Sequence, residues 1–308
     1  MILTTKTKRG RDALMSASLV ESRKQRRISC MTKMNIILLG NGTKPGIQEA
    51  VERLRPEIER RANVLAEDFT GQKDVSSVQA DLAVVFGGDG SILRAVSQMG
   101  TNQIPVLAVH LGTLSFLSTI QIDELISLLD RPELLKLPVI KHLLLHCRLF
   151  RNNRTEPEQW HLALNEVVVH STHAAHLIGI ELGLDQQLVT TYRCSGLIVS
   201  TPVGSTAMSL SSGGPILRKD IDAVVISPIS PHTLSNRPLV DSPDRFMELR
   251  PQQPAELLVD GSNVAALEPG DTVRITRAQQ TFKTLDVPGF CYYKALQSKL
   301  GWNGRFES

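Results

Sequence analysis

Aromatic side chains are scarce in this chain. They make up 4% of its 308 residues, too few for the stacked platforms on which single-strand-binding proteins hold bases. Uninterrupted apolar runs of about 18 residues, the length that crosses a bilayer, are also missing. We therefore expect neither nucleic acid nor a membrane among the partners of this protein.

Cysteines are few and widely separated. The four are Cys30, Cys147, Cys194 and Cys291, and no two of them form a CxxC pair. This spacing suits reduced thiols better than a disulfide framework or a zinc site. We therefore predict a cytoplasmic protein.

An excess of one charge is also missing once the first 33 residues are set aside. These residues hold nine of the 34 basic and two of the 31 acidic side chains, although the whole chain has a net charge of +3. The remaining 25 basic and 29 acidic side chains argue against a broad nucleic-acid-binding face. We interpret 1–33, which lacks the apolar core of a secretory signal, as a disordered basic leader. A targeting signal, or a true start at Met31 or Met34, stays open.

Apolar runs alternate with helical spacing in the first part of the chain after the leader. The predicted strands are 36–39, 82–86 and 105–109, and the predicted helices are 46–66, 91–99 and 122–130. Continuous apolar strands separated by helices are typical of a parallel sheet covered on both faces. We expect a Rossmann-like α/β domain at 34–134.

The pattern becomes β-like after about residue 135. Predicted strands lie at 139–150, 162–169, 177–184, 188–193, 197–200, 222–227, 246–250, 256–260 and 271–276, with a turn at Asp185-Gln186. Short turns between such runs indicate an all-β domain, predicted at 135–280. A closing helix at 292–300 belongs to a C-terminal segment, 281–308, that we expect to return to the first domain. The predicted fold class is thus α/β plus β.

The strongest local motif is Gly87-Gly88-Asp89-Gly90, between a predicted strand and a predicted helix. Glycines let backbone amides approach a phosphate, and the start of a helix favours an anion. A carboxylate repels bound phosphates, so its presence there indicates a chemical role, such as accepting a proton from a hydroxyl or holding magnesium. Asp89 also fits an ordinary helix N-cap, and both readings stay open. Arg94, one turn further along, is placed to reach a phosphate or to lie in solvent.

A polar pair, Asn165-Glu166, interrupts an otherwise apolar run. Burying two polar side chains without partners is costly, and ribose hydroxyls are suitable partners. A bulge or a strand end facing water is the alternative.

Small hydroxyl residues follow a predicted strand at 201–215. They can cap a helix and leave amides free for a nucleotide. Gly204-Ser205-Thr206 does not match the Gly-x-Ser-x-Gly frame of a serine hydrolase. The nearby His170, His173 and His176 lack the further ligands of a metal site, so no metal-ligating residue is predicted.

In chain order, several motifs together resemble the NAD kinase family over nearly all of 34–302. They are Gly-Gly-Asp-Gly at 87–90, Asn165-Glu166, Ser-Thr-Pro-x-Gly-Ser-Thr-Ala at 200–207, Gly-Gly-Pro at 213–215 and Pro-His-Thr-Leu-Ser-Asn-Arg-Pro at 231–238. The resemblance implies transfer of phosphate from ATP to NAD to give NADP, with a divalent metal, Mg²⁺, as cofactor. It also implies a homo-oligomer, a dimer or a tetramer, with sites near subunit contacts.

The same resemblance implies roles for individual residues. Asp89 matches the base that faces the adenosine ribose 2′-hydroxyl, and Gly87, Gly88, Gly90 and Arg94 match the phosphate-binding positions. The residues that match NAD-binding positions are Asn165, Glu166, His176, Arg193, Thr206, Ala207, Met208 and Ser211.

The chain departs from the family on the dinucleotide side. Ser195 stands where the family usually has Asp, Met208 where it has Tyr, and Ser262 where it has Gln. The family segment Asn-Leu-Gly-x-Leu-Gly-Phe reads His-Leu-Gly-Thr-Leu-Ser-Phe at 110–116. These changes leave affinity and the choice between NAD and NADH open.

Two alternatives to an NAD kinase follow from these residues. Diacylglycerol kinases and phosphofructokinases look similar around Gly-Gly-Asp-Gly, so a lipid or sugar kinase is one alternative. A catalytically weak sensor that binds NAD or NADP is the other, motivated by Ser195, Met208 and Ser262. The sequence also leaves open whether ATP or inorganic polyphosphate is the phosphoryl donor.

Overall fold

The computed structural model describes residues 33–112, 116–117, 120–152, 154–173, 176–233, 235–289 and 291–302. The predicted leader, apart from Lys33, and Cys30 with it lie outside these residues. Among the helices of the described ranges, none combines the length and the apolar character needed to cross a membrane.

The described residues form five α-helices and seventeen strands. The helices are α1 (Ile47–Arg61), α2 (Asp89–Met99), α3 (Leu125–Leu129), α4 (Met208–Ser211) and α5 (Tyr292–Leu300). The strands of the first half are β1 (Met34–Gly40), β2 (Ala62–Asp68), β3 (Leu82–Phe86), β4 (Val106–His110), β5 (Ile120–Gln121), β6 (Val139–Phe150), β7 (Gln159–Ala163) and β8 (Glu166–Ser171). Those of the second half are β9 (Ile178–Leu184), β10 (Gln187–Cys194), β11 (Gly196–Ser200), β12 (Val224–Ile229), β13 (Leu239–Asp241), β14 (Met247–Pro251), β15 (Ala255–Val259), β16 (Ser262–Leu267) and β17 (Thr272–Leu285).

Parallel strands form one half of an 11-stranded sheet. β1 pairs with β3 and β3 with β4, both in parallel, so that Leu39 lies opposite Val85 and Val85 opposite Ala108. These strands are buried along almost their whole length, as expected for a parallel sheet covered on both faces. Their carboxyl ends meet at one edge, where the Gly-Gly-Asp-Gly segment follows β3.

β17 joins this parallel half to an antiparallel half of the same sheet. Its end pairs in parallel with β4 at Thr284 and Val106, while its start pairs antiparallel with β14. β6 runs antiparallel along most of the length of β17. The chain from Asn35 to Ser308 is one compact unit. The boundaries 34–134, 135–280 and 281–308 stay predictions.

A second sheet of six strands, in the order β13-β12-β11-β8-β15-β16, is antiparallel throughout. Its inner face packs on the antiparallel half of the larger sheet around a shared apolar core, which includes Val169, Leu197 and Ile226 on one side and Ile180, Leu249 and Ile275 on the other. Alternate inward-facing residues of two sheets make such a sandwich.

A separate core lies under α2. It contains Val85, Ile92 and Ala95 together with Leu164 and Val203. Because Leu164 and Val203 come from the β-rich part of the chain, this core holds the Asn165-Glu166 pair and the 200–207 segment beside the helix that begins at Asp89. The fold class predicted from sequence is confirmed, including the closing helix α5.

The predicted helix 46–66 is wrong beyond Arg61. α1 ends there, and Ala62 has φ −138° and ψ 158°, an extended conformation that starts β2. In β2, Ala62, Ala66 and Asp68 are buried while Asn63, Leu65 and Glu67 are exposed. This alternation is the period of a half-buried strand, which the short segment did not distinguish from helical spacing.

The predicted strand 162–169 is two strands rather than one. β7 ends at Ala163 and β8 begins at Glu166, so Leu164 and Asn165 form a connection between the two sheets. The polar pair therefore marks the point at which the chain leaves one sheet for the other.

Candidate active site

The turn after β3 requires a glycine at its first position. Gly87 has φ +128°, and a Cβ there would lie 2.3 Å from Ser91 Oγ. A side chain at Gly90 would meet open space instead. The tight turn brings Asp89 to the first residue of α2, with Gly88 in the N-cap position and no side-chain cap. Asp89 thus adds negative charge at the positive end of the helix dipole.

Two backbone amides hold the Asp89 carboxylate. The N–H of Phe116 donates to Oδ2 at 3.3 Å, and the N–H of Leu117 donates to Oδ1 at 3.1 Å. Asp89 is only partly buried, and its carboxylate is oriented by a segment of chain far away in sequence. A carboxylate held in one direction but still accessible can accept a proton from a bound hydroxyl.

A cavity of 830 Å³ runs along one face of α2, from Gly90 near its start to Gly100 just after its end. Gly90 and Arg94 line one side, and Asp260, Gly261 and Ser262 line another. Further lining residues come from the loops after β1 and β2, which contribute Thr43, Thr70 and Gly71. The volume suits a nucleotide, because ligand pockets commonly measure about 300–1,000 Å³.

Asp68 organises one of these loops. Its carboxylate accepts the backbone N–H groups of Thr70, Gln72 and Lys73 at 2.8–3.0 Å and the side-chain amide of Gln98 at 2.7 Å. Burial alone would raise the pKa of Asp68, but these hydrogen bonds outweigh burial and hold it below its usual range. The loop at Thr70 and Gly71 is therefore fixed where it lines the cavity.

Asp260 holds the chain at the polar pair. It accepts the N–H groups of Leu164, Asn165 and Glu166 at 2.9, 2.7 and 3.1 Å. Burial raises the pKa of Asp260 to about 6, although the three amides oppose that shift. Because Asp260 also lines the 830 Å³ cavity, the polar pair lies next to that cavity.

The Glu166 carboxyl is buried without a full set of partners. The side chain is 3% exposed, and Oε2 has no hydrogen-bond partner among the described residues. Burial raises the pKa of Glu166 to about 8, the Asp260 charge adds to the shift, and a hydrogen bond from the Met208 amide opposes it. A protonated carboxyl with a spare oxygen is suited to a sugar hydroxyl.

Hydroxyl side chains fold the 200–208 segment against this pair. Thr201 Oγ1 donates to the Leu164 carbonyl at 2.5 Å and accepts the Gly204 N–H at 3.1 Å. The fully buried Ser205 Oγ donates to the Pro202 carbonyl at 2.6 Å. The Ser205 hydroxyl is therefore buried and used in a structural hydrogen bond, which argues against a serine hydrolase.

Four further predicted residues lie at the end of this segment and in the short helix that continues it. Thr206, Ala207 and Met208 are partly buried, and Ser211 is exposed. The 3-10 helix Gly204–Thr206 leads into the short helix α4, and Ala207 between them has an irregular conformation, with φ −102° and ψ −128°. Through Met208, whose amide contacts Glu166, the structure brings these residues to the polar pair.

His176 and Arg193 line a different cavity, of 470 Å³. There the ring of His176 stacks on His173 with centroids 5.1 Å apart, and the Arg193 carbonyl accepts the His232 N–H at 2.8 Å. Neither residue lines the 830 Å³ cavity, so the structure does not bring this pair together with Gly90 and Arg94.

Metal ligands and disulfides are absent from the parts of the chain that the structure describes. Those residues contain no group of three or more His, Cys, Asp or Glu side chains that could hold a metal ion. Cys147, Cys194 and Cys291 are free thiols.

Sequence reasoning missed three residues that support the site. Asp68 and Asp260 were not predicted as supports, although each directly follows or ends a strand where a carboxylate can cap a loop. Lys219, whose Nζ donates to the Phe116 carbonyl, carries no local signal except its place shortly after Gly-Gly-Pro.

Comparison with known proteins agrees with this geometry. Residues 28–133 match the model of the ATP-NAD kinase N-terminal domain, and residues 164–287 match that of the C-terminal domain. The NAD kinase of Rhodopirellula baltica is 43% identical over 279 residues, which cover 90% of this chain and 89% of the relative. That of Geotalea daltonii is 37% identical over 241 residues, covering 77% and 84%.

Two solved structures share the fold. Yeast NADH kinase complexed with NADH superposes with a TM-score of 0.79 at 24% identity and covers 90% of each chain. An NAD kinase from Archaeoglobus fulgidus in complex with ATP gives 0.69 at 22% identity, covering 87% of this chain and 99% of that one. With the domain models matching most of the sequence and relatives above 30% identity over most of its length, the chain belongs to the ATP-NAD kinase family, a family of phosphotransferases with an alcohol acceptor.

Proposed function

We propose that this enzyme transfers the γ-phosphoryl group of ATP to the 2′-hydroxyl of the adenosine ribose of NAD, giving ADP and NADP. The observation that carries the proposal is the Asp89 carboxylate, fixed by two amides at the start of α2. Family membership favours NAD over a lipid or a sugar as acceptor.

In the proposed mechanism, Asp89 accepts the proton of the attacking hydroxyl. A positioned general base typically contributes about 10²–10⁴-fold to the rate. The amides at the start of α2 and the Arg94 guanidinium bind the triphosphate in the 830 Å³ cavity. The Asn165-Glu166 pair hydrogen-bonds to the ribose, and Thr206, Ala207, Met208 and Ser211 contact the rest of the dinucleotide.

We propose that magnesium arrives with ATP as part of the substrate. Mg²⁺ in such enzymes is usually held by one or two carboxylates and by substrate phosphates rather than by a protein cage. Asp89 offers one carboxylate at the phosphate edge, and the described residues lack a fuller acidic cluster. This donor set fits a metal that would be held mainly by the triphosphate and would supply positive charge to neutralise the transferred group.

The test is NADP formation by the purified enzyme from NAD, ATP and Mg²⁺. Asp89→Asn is expected to lower kcat by at least about 100-fold with intact folding, because it removes the base but keeps the shape. Asp123→Asn, a change at an exposed position, is the matched control and is expected to keep full activity. Full turnover by Asp89→Asn would exclude Asp89 as the base.

The same assay separates the remaining alternatives. Polyphosphate in place of ATP tests the donor, and NADH in place of NAD tests the acceptor. Tight binding of NAD without turnover in wild-type enzyme would favour a sensor over a kinase.

We further propose a cytoplasmic homo-oligomer. The free thiols Cys147 and Cys194 suit a reducing compartment. At one end of the large sheet, β10 exposes Leu188 and Val189, at 65% and 49%. An edge strand with exposed apolar side chains is a surface that proteins commonly cover. Light scattering on the wild type and on Leu188→Lys tests this, and a monomeric wild type would contradict it.

A further inference from the structure

Lys219 contacts the segment that orients Asp89. The Lys219 Nζ donates to the carbonyl oxygen of Phe116. The backbone N–H of Phe116 in turn donates to the Asp89 carboxylate. Leu117, the second donor to Asp89, is the next residue. Lys219 therefore fixes the piece of backbone on which the direction of the Asp89 carboxylate depends.

Helix α5 holds Lys219 in turn. The Nζ of Lys219 lies 5.2 Å from the centre of the ring of Tyr292, a residue of α5, within the range of a cation–π interaction. The Tyr292 hydroxyl donates to the carbonyl of Leu217 at 3.2 Å, two residues before Lys219. Ala295 and Leu296 bury this helix on the rest of the protein. The position of Lys219 is thus set from two sides.

The ammonium group of Lys219 titrates in an accessible range. Burial lowers the pKa of Lys219 to about 8, and the negative charge of Asp89 opposes that shift. Nearby, burial and the Lys219 charge lower the pKa of His142 to about 3, so His142 stays neutral. Burial raises the pKa of Tyr292 above its usual value.

We infer that Lys219 is a positioning residue for phosphoryl transfer, which holds the Phe116 carbonyl so that the amides of Phe116 and Leu117 stay turned toward Asp89. The inference rests on the proposed role of Asp89 as base. Hydrogen bonds from a charged donor are about twice as strong as neutral ones. Loss of the Lys219 charge should loosen this arrangement and slow turnover without weakening substrate binding.

A dependence on pH follows from the groups that face Lys219. These are Asp89 from α2, His142 from β6, Cys291 just before α5, Tyr292 and Tyr293 from α5, and the nearby Arg218, Asp220 and Asp286. Because burial brings the pKa of Lys219 to about 8, its ammonium group loses its charge as pH rises through that value. We expect the kcat of the wild type to decline as pH rises through about 8.

The experiment compares Lys219→Met, Lys219→Arg and Arg218→Met in the full-length enzyme. The readouts are kcat and the KM values for ATP and NAD between about pH 6 and pH 9.5, and the melting temperature. Lys219→Met is expected to lower kcat about tenfold or more, with both KM values within about twofold of the wild type. Lys219→Arg is expected to keep kcat within about threefold and to lessen the alkaline decline, because a guanidinium stays charged. Glu166, whose pKa is also about 8, keeps its own contribution to the decline in this variant.

Arg218→Met is the matched control. It removes a neighbouring cation whose partners are the exposed Asp220 and Tyr293, and it should keep the kcat of the wild type at pH 7. A wild-type kcat in Lys219→Met, or an unchanged alkaline decline in Lys219→Arg, would overturn the inference. The Arg variant decides the matter even if the Met variant folds poorly.

The two proposals fail in different ways. If Asp89→Asn is inactive and Lys219→Met is fully active, only the role of Lys219 is lost. If Asp89→Asn is itself fully active, the base assignment and the positioning role are both wrong.

Discussion

A Cβ atom on Gly204 would lie 2.1 Å from the carbonyl oxygen of Asn165. The two backbones, from the hydroxyl-rich segment and from the polar pair, are therefore in a contact that excludes any other residue at 204. The Thr201 N–H donates to the same carbonyl at 2.8 Å. This hydrogen bond holds the two backbones together three residues before Gly204. The site depends on this contact, because it sets the distance between the two segments.

Gly204→Ala is expected to destabilise the protein by roughly 3 kcal/mol or more, because an added methyl group must push two packed backbones apart. Urea unfolding gives the free energy directly. Gly112→Ala is the control, since a Cβ there meets nothing within 4 Å. Equal stabilities of the two variants would contradict the packing described for Gly204.

Glu166→Gln is expected to stabilise the protein at alkaline pH. The folded protein keeps the Glu166 proton up to about pH 8, whereas the unfolded chain loses it near its usual pKa of about 4.3. Unfolding therefore releases a proton between these values, and stability falls as pH rises. Glutamine removes this penalty. The variant should therefore exceed the wild type in free energy of unfolding by on the order of 1–3 kcal/mol at pH 8 and should equal it at pH 4.

Unfolding free energies of the wild type and Glu166→Gln across pH 4–8 test this expectation. Glu156→Gln, at an exposed position, is the control and should follow the wild type. Parallel curves for the wild type and Glu166→Gln would show that Glu166 is ionised in the folded protein. NADP formation should still fall in Glu166→Gln, because the proposed ribose contact is altered.

Asp68→Asn is expected to loosen the loop at Thr70 and Gly71 and to raise the KM for ATP. The change removes charge-assisted hydrogen bonds from three amides, at a cost of roughly 1–3 kcal/mol of stability. Hydrogen bonds hold the pKa of Asp68 low, so this stability is present above the unfolded pKa and is lost as pH falls through the folded value. The difference from the wild type should therefore shrink in acid.

Steady-state kinetics and unfolding curves at pH 7 and pH 3.5 provide the measurement. Asp74→Asn is the control, since its exposed carboxylate serves only a local turn to Ser76, and it should change stability by less than about 0.5 kcal/mol. An unchanged KM for ATP in Asp68→Asn would show that the loop at Thr70 and Gly71 does not contribute to ATP binding.

The buried strands and the closing helix were predictable because their apolar residues follow one another at regular, local spacing in the sequence. The predictions 82–86, 139–150 and 292–300 coincide with β3, β6 and α5. The short strands β13 and β16 lie at the ends of the six-stranded sheet and expose much of their length. β13 has only two apolar residues, and the apolar run of β16 is four residues long and rich in alanine, so hydrophobic patterning alone does not reveal them.

The candidate site was predictable where one motif carries its chemistry. Asp89 follows a buried strand and begins a helix within one continuous stretch, so its place at the sheet edge was foreseeable. Its contact with Leu117 spans 28 residues, and that of Lys219 with Phe116 spans 103. These depend on how distant segments pack, which no local spacing encodes.

The central place of β17 has a consequence for synthesis on the ribosome. This strand lies between β4 and β14, yet it spans Thr272–Leu285, so β4 emerges more than 160 residues before its neighbour. Until then β4 is paired on this side only at Val109 and His110, by the two-residue strand β5, and long-range strand pairing is slow. Such exposed intermediates bind chaperones or aggregate, so the yield of folded enzyme in the cell should depend on translation speed and chaperone supply.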